Sequence, residues 1–260
     1  MASSPRSPIR VGLLSAAGRL CRAAVDFVYP PVCPLCGGEA DGAEAGGGGI
    51  CATCAGALVR DDAARCARCA APVGPHLDTV NGCIHCGRDR FAFESVIRLG
   101  VYDGLLRTAC MRAKHTGGRG LAAGLAELLG EREGAALRAA DAACVVPVPH
   151  HWTDRLRGRP NAAETVALVL ARRLRVEFAG SILCKTRRTP AQASLTPAQR
   201  RTNLRRAFRA RGRIPAGITV LLVDDILTTG TTAHEAARHL RSAGAERVLV
   251  AVLARGLGRD

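Results

Sequence analysis

Two adjacent acids, Asp224 and Asp225, close the apolar run "ITVLLV", and "ILTTGTT" follows them directly before a helical segment begins. A carboxylate pair can accept hydrogen bonds from neighbouring hydroxyls or sit beside a magnesium ion. A turn that opens a helix offers unpaired backbone N–H groups to a phosphate. Here it adds the permissive Gly230 and the hydroxyls of Thr228, Thr229, Thr231 and Thr232. Together these parts describe a site for a phosphorylated sugar, with the acids facing the ribose 2- and 3-hydroxyls and the turn facing the 5-phosphate. No lysine follows the glycine, which excludes a nucleoside-triphosphate P-loop.

The second group with chemical potential is sulfur. Eight of the 12 cysteines form C-x-x-C pairs: Cys33/Cys36, Cys51/Cys54, Cys66/Cys69 and Cys83/Cys86. Two thiolates at this spacing can bite one tetrahedral metal, and two such knuckles complete a four-sulfur zinc site. Four pairs therefore predict two structural zinc ions. Pairing in sequence order (Cys33, Cys36, Cys51, Cys54 and Cys66, Cys69, Cys83, Cys86) and an interleaved cross-brace both satisfy the spacing. A cytosolic chain keeps such thiols reduced, which argues against disulfides. The segment has few large apolar side chains, so metal binding must supply its folding free energy. A closed four-thiolate site has no open position for catalysis.

The chain that must position these groups has 260 residues, enough for one large domain and a smaller one. Hydrophobic residues make up 48% but aromatics only 3%, so the core is built from Ala, Val and Leu. The net charge of +15 is concentrated: residues 172–213 hold 13 basic residues against Glu177. Such a stretch is either a solvated helix face or a surface for a polyanion, with Arg187, Arg188, Arg200, Arg201, Arg205 and Arg206 as nucleic-acid candidates. Lys114 and Lys185 are the only lysines; the preference for Arg is read as genome composition without functional weight. No run approaches about 20 apolar residues, so no membrane span is expected and the protein is placed in the cytoplasm.

Composition divides the chain into an amphipathic helix over 1–30, a zinc-binding module over 31–90 and an α/β domain over 91–260. In the last, strands are expected in 91–104, 143–149, 179–185, 217–225 and 246–254. Helices are expected over 105–118, 119–130 (continuing less regularly to 140), 159–175 with Pro160 near its start, 196–208 and 231–244. Alternating strands and helices predict a mostly parallel sheet flanked by helices. Ligands of such sheets bind at the carboxyl ends of the strands, where the two acids emerge.

"VLLVDDILTTGTTA" resembles the phosphoribosyl pyrophosphate (PRPP) motif of type I phosphoribosyltransferases. Paired cysteines ahead of such a domain resemble the ComF family, the competence-associated proteins of bacterial DNA uptake. "YDGLLR…KHTG", "VVPVPHH", "RTPAQASLTPAQRRTNLRRAF" and "AGAERVLVAVLAR" extend the resemblance from about Pro30 to Arg255. It implies a type I phosphoribosyltransferase-like fold behind a double zinc ribbon, with PRPP and Mg2+ held by Asp224, Asp225 and Thr228–Thr232. It places His150 and Arg155 on the pyrophosphate side. The implied partners are single-stranded DNA and the helicase or recombination proteins of the competence machinery. The implied activity is a magnesium-dependent transfer of phosphoribose, or PRPP sensing without turnover. One departure stands out: the family's Arg-Gly-aromatic-Asn-Gln run reads "RLRGRPNAAE", with Pro160 replacing the Gly-aromatic pair and Ala162 the Gln.

Overall fold

The computed structural model describes residues 32–40, 49–61, 63–156, 158–187, 204 and 207–257. The helix expected over 1–30 lies outside them, as do Arg188, Arg200, Arg201, Arg205, Arg206 and the start of the helix expected over 196–208.

Five strands form one all-parallel sheet in the order β1-β7-β6-β2-β3. They are β1 (Val96–Val101), β2 (Ala142–Pro147), β3 (Glu177–Phe178), β6 (Thr219–Leu227) and β7 (Arg247–Arg255). A parallel sheet covered on both faces needs strands that are apolar on both sides. Strand β6 shows this residue by residue. Leu221 and Val223 enter one core with Leu125, Leu129, Val166 and Leu170 from the helices α3 (Arg119–Arg132) and α6 (Ala162–Leu174). Val220 and Leu222 enter the opposite core with Ala233, Ala236 and Leu240 of α7 (Thr231–Ser242). The first core also takes Leu106, Ala109 and Cys110 from α2 (Gly104–Ala113) and Leu137 from α4 (Gly134–Ala139).

Several boundaries differ from the sequence expectations. Residues 91–95 are not strand, because Phe91 and Phe93 stack on each other at 4.5 Å and turn toward the Thr-rich turn. Helix α6 begins at Ala162 with Asn161 as its extended cap, so Pro160 stands before the helix rather than at its first position. The strand expected over 179–185 shrinks to β4 (Leu183–Lys185). Phe208, expected in a helix, begins β5 (Phe208–Ala210), which pairs antiparallel with β4 and buries its ring. Burial of a large ring beside Leu183 and Leu204 outweighs the local helical preference. Strand β6 runs two residues past Asp225, with Asp224 opposite Val252 and the ladder with β7 continuing at Ile226 and Leu227.

Ahead of the sheet, Val32–Gly38 and Cys66–Ala71 form knuckle turns whose backbone N–H groups fold back on carbonyls. A short helix α1 (Ala52–Leu58) springs from the second cysteine pair, with Cys51 as its cap. Its Leu58 is buried in the first core, which anchors this segment on the sheet's helical layer.

Candidate functional site

Asp224 and Asp225 sit near the carboxyl end of β6, between β2 and β7, where the central strand is flanked on both sides. The Oδ1 of Asp224 accepts the N–H of Asp225 at 2.9 Å. Burial, followed by the charge of Asp225, pushes the Asp224 carboxyl up to about 7. Two carboxylates this close cannot both ionise without cations, and the fold supplies two.

Lys114, at the end of α2, places Nζ 3.1 Å from Asp225 Oδ2. Burial alone would pull its ammonium down, but Asp225, and Asp224 behind it, hold it above the usual lysine range. Lys185, at the end of β4, is pulled down by burial and partly restored by Asp154 and Asp224. Lys114 thus pairs with the acids and Lys185 adds a charge that Asp224 feels, and reading the Arg preference as functionally silent gave neither a role. The signal was available: two lysines among 37 basic residues.

The "PVPHH" turn after β2 is tied to the same place. Val148 N–H donates to Val223 O at 2.8 Å, and Asn161 Nδ2 donates to Val148 O at 3.2 Å. Burial pulls the His150 imidazole below the ordinary value, against the opposing charges of Asp225 and Asp154. It is therefore neutral near pH 7 and can accept as well as donate a hydrogen bond. His151 is buried, its Nδ1 2.8 Å from Thr153 Oγ1, and its backbone bridges to Lys185. Arg155 belongs to the short helix α5 (Trp152–Leu156), but its side chain lies outside the described residues.

Behind the acids, the chain leaves β6 at Leu227 and enters α7 at Thr231. Gly230 makes this possible with φ 74°, the left-handed region that costs a Cβ-bearing residue strain. Thr229 Oγ1 lies 2.9 Å from Thr231 Oγ1, and the Thr231 N–H points to it at 3.5 Å. Helix α7 has no acid in its first turn, so its amide end carries positive potential toward a ligand. Arg187 is exposed beyond β4, away from the Thr-rich turn in sequence and followed by residues outside those described.

The eight paired cysteines form two quartets, Cys33, Cys36, Cys51, Cys54 and Cys66, Cys69, Cys83, Cys86, with ligand atoms within 4.8 Å of one another in each. This is the sequential pairing. Separations of 3.7 Å for Cys36–Cys51, Cys66–Cys86 and Cys69–Cys83 match the roughly 3.8 Å edge of a tetrahedron with 2.3 Å zinc–sulfur bonds. Burial pushes the Cys33 thiol up, but backbone N–H groups of Cys51, Cys36 and Leu35 outweigh it and bring it down to about 6. Burial and then the neighbouring sulfurs push Cys54 up to about 12. The Cys33 thiolate forms readily while Cys54 resists. That balance needs a dication to ionise all four, so the donors fit structural zinc.

Comparison with known proteins agrees with both halves. Residues 24–90 match the double zinc ribbon domain and residues 158–259 the phosphoribosyl transferase domain. A relative in Salmonella typhi, described as a DNA utilization protein, is 30% identical over 217 residues, covering 80% of this chain and 91% of that one. Competence protein F of Haemophilus influenzae is 35% identical over 115 residues, covering 43% and 49%. Among solved structures, an adenine phosphoribosyltransferase covers 53% of this chain and 71% of its own, at 21% identity and a TM-score of 0.36. The sheet is that of a type I phosphoribosyltransferase, preceded by a double zinc ribbon with two four-cysteine groups.

Proposed function

Starting from a chain that belongs to the ComF family, we propose that it binds PRPP with Mg2+ and acts in the cytoplasmic handling of single-stranded DNA during DNA uptake. The observation that carries the PRPP reading is the continuity of Asp224 and Asp225 with the left-handed Gly230 turn and the amide end of α7. The acids would accept the ribose 2- and 3-hydroxyls, and the N–H groups and hydroxyls of Thr228–Thr232 would take the 5-phosphate. Magnesium would bring the charge that a polyphosphate needs beside two carboxylates. His150, Lys114 and Lys185 would meet the pyrophosphate, with Arg155 as a further candidate in α5.

Two observations support the nucleic-acid role. The relatives are described as DNA utilization and competence proteins, and the basic stretch leaves Arg187, Arg209, Arg211 and Arg213 exposed on and around the β4–β5 hairpin. Phosphate contacts by such residues give affinity without sequence readout. Helicase or recombination proteins of the competence machinery would meet the chain on the same DNA. Among the described residues no helix is long and apolar enough to cross a membrane.

Transfer of the phosphoribosyl group is a second reading, favoured by the cations beside the acids. Lys114 and Lys185 would meet the charge of a departing pyrophosphate, a mostly electrostatic form of catalysis. One feature opposes it. Ala162, where the family usually carries Gln, is the first residue of α6 and is buried, so this position offers a ligand no polar side chain.

Calorimetric titration with PRPP, with and without Mg2+ and with pyrophosphate assayed alongside, separates these readings. Binding without pyrophosphate marks a sensor, and binding with its release on adding a nucleophile marks a transferase. Unchanged affinity in Asp224→Ala and Asp225→Ala would remove the site assignment.

A further inference from the structure

The second cysteine quartet and the Thr-rich turn are joined by one buried side chain. Arg255, the last residue of β7, is 3% exposed. Its Nε donates to the carbonyl of Cys69 at 2.9 Å. Its Nη1 donates to the carbonyl of Leu227 at 3.2 Å and also to those of Thr228 and Gly256. Cys69 is a ligand position of the second quartet, while Leu227 and Thr228 lead into the turn. The planar guanidinium therefore fixes a knuckle carbonyl and the turn's entry in one rigid fork, a geometry that lysine cannot reproduce.

A second strut reaches the same turn from the other side. Phe91, five residues beyond Cys86, packs with the sulfur cluster of Cys66, Cys69 and Cys86. Its ring lies so close under Gly230 that a Cβ there would meet it at 2.9 Å. The next residue, Ala92, donates its N–H to His234 Nδ1 at 3.0 Å in the first turns of α7. Leu257 closes the arrangement by packing on the same sulfur cluster after the Arg255 anchor.

The first quartet is attached elsewhere. Leu35 O accepts from Arg112 Nη1 at 2.9 Å, at the end of α2, and Val59 O and Asp61 O accept from Arg132 of α3. Among the described residues these ties run to the helical layer rather than to the turn.

We infer that Arg255 is a positioning residue through which metal at the second quartet, and not at the first, sets the geometry of the turn. The inference rests on the assignment of that turn to the 5-phosphate of PRPP. Binding linkage is reciprocal: if metal at Cys66, Cys69, Cys83 and Cys86 tightens the turn's hold on PRPP, PRPP must tighten that site's hold on metal by the same factor.

The test uses the full chain loaded with zinc, and a chromogenic chelator that follows metal release with and without PRPP and Mg2+. Cys36→Ser and Cys83→Ser assign the two release phases to the first and second quartets. The expected result is that saturating PRPP slows release from the second quartet about tenfold, within the usual range of site–site coupling, and leaves the first unchanged. Arg255→Met and Arg255→Lys should both abolish the slowing and weaken PRPP binding in calorimetry, while their circular dichroism stays that of the parent. The parent protein alone decides the matter if those variants fail to fold. PRPP that binds yet slows both phases equally, or neither, overturns the inference and leaves the site assignment standing. PRPP that does not bind at all overturns the site assignment and the inference with it.

Discussion

Lys114 Nζ lies 3.1 Å from Asp225 Oδ2, so a residue at the end of α2 neutralises an acid near the end of β6 more than a hundred positions along the chain. The contact is half exposed on the lysine side, and an isolated pair of that kind contributes about 0–1 kcal/mol to folding. Its weight is on the ligand side, because Asp224 shares the same cation. Lys114→Met should leave thermal stability within a few degrees of the parent and weaken PRPP binding roughly tenfold. It should also raise the Asp224 titration, which carbon-detected NMR of the carboxyl would read. An unmoved titration would show that the lysine does not act on the pair.

The pH dependence of the unliganded protein follows from Asp224. Burial and the Asp225 charge raise its carboxyl from an ordinary 3.8 to about 7. Between those values the folded state binds a proton that the unfolded chain has released, so this group's contribution falls as pH rises from about 4 to about 7 and is flat above. Denaturant titrations of the parent and Asp224→Asn at pH 5, 6 and 7.5 should show that the parent alone carries this decline. PRPP needs the ionised form to receive its hydroxyls, so its affinity should rise over the same interval. Calorimetry in buffers of different ionisation heat should record proton release.

Metal content distinguishes the two ways of pairing the knuckles. With the sequential quartets, Cys36→Ser combined with Cys54→Ser disables one site, and elemental analysis should find one zinc per chain instead of two. An interleaved arrangement would lose both. Loss of either site should lower the thermal midpoint, yet the sheet's circular dichroism should persist. The two main cores pack Leu, Val and Ala side chains without any zinc-ligand cysteine.

Gly230 holds φ 74° with the Phe91 ring beneath it. Gly230→Ala should cost about 1–2 kcal/mol in denaturant unfolding for the left-handed backbone, plus the displacement of the ring. Phe91→Ala in the same chain should relieve the second part but not the first. Strict additivity of the two substitutions would mean the ring and the turn do not touch.

Arg209 and Arg211 project from the β4–β5 hairpin and its exit. If they contact nucleic-acid phosphates, single-stranded DNA affinity should fall steeply with salt. Arg209→Ala and Arg211→Ala should each reduce the logarithmic slope by about one contact. A flat slope in the parent would remove the electrostatic basis of the nucleic-acid role.

Local chemistry made much of this protein legible from the sequence. The continuous apolar run in "TVLLV", the helical spacing of "AAETVALVLARRL" and the Gly230 turn after two acids are all decided within a few residues, so local sterics and burial preferences suffice. The same is true of the cysteine knuckles, whose two-residue spacing already dictates how two sulfurs converge. Family resemblance supplied the order of the parts.

Other features depended on the packed chain. Phe208 left its helical pattern to pair with β4, because its ring found a buried place beside Leu183. Which knuckles share a metal was fixed by how the module folds back on itself. Lys114 and Lys185, separated by 71 positions, came under the influence of the acid pair only when the end of α2 reached Asp225 and β4 bridged to His151. Arg255 reads in sequence as the end of an apolar strand, and its burial between a zinc knuckle and the turn is a three-dimensional fact. Electrostatic partnership depends on distance through space, which spacing along a chain does not encode beyond a turn or two of helix.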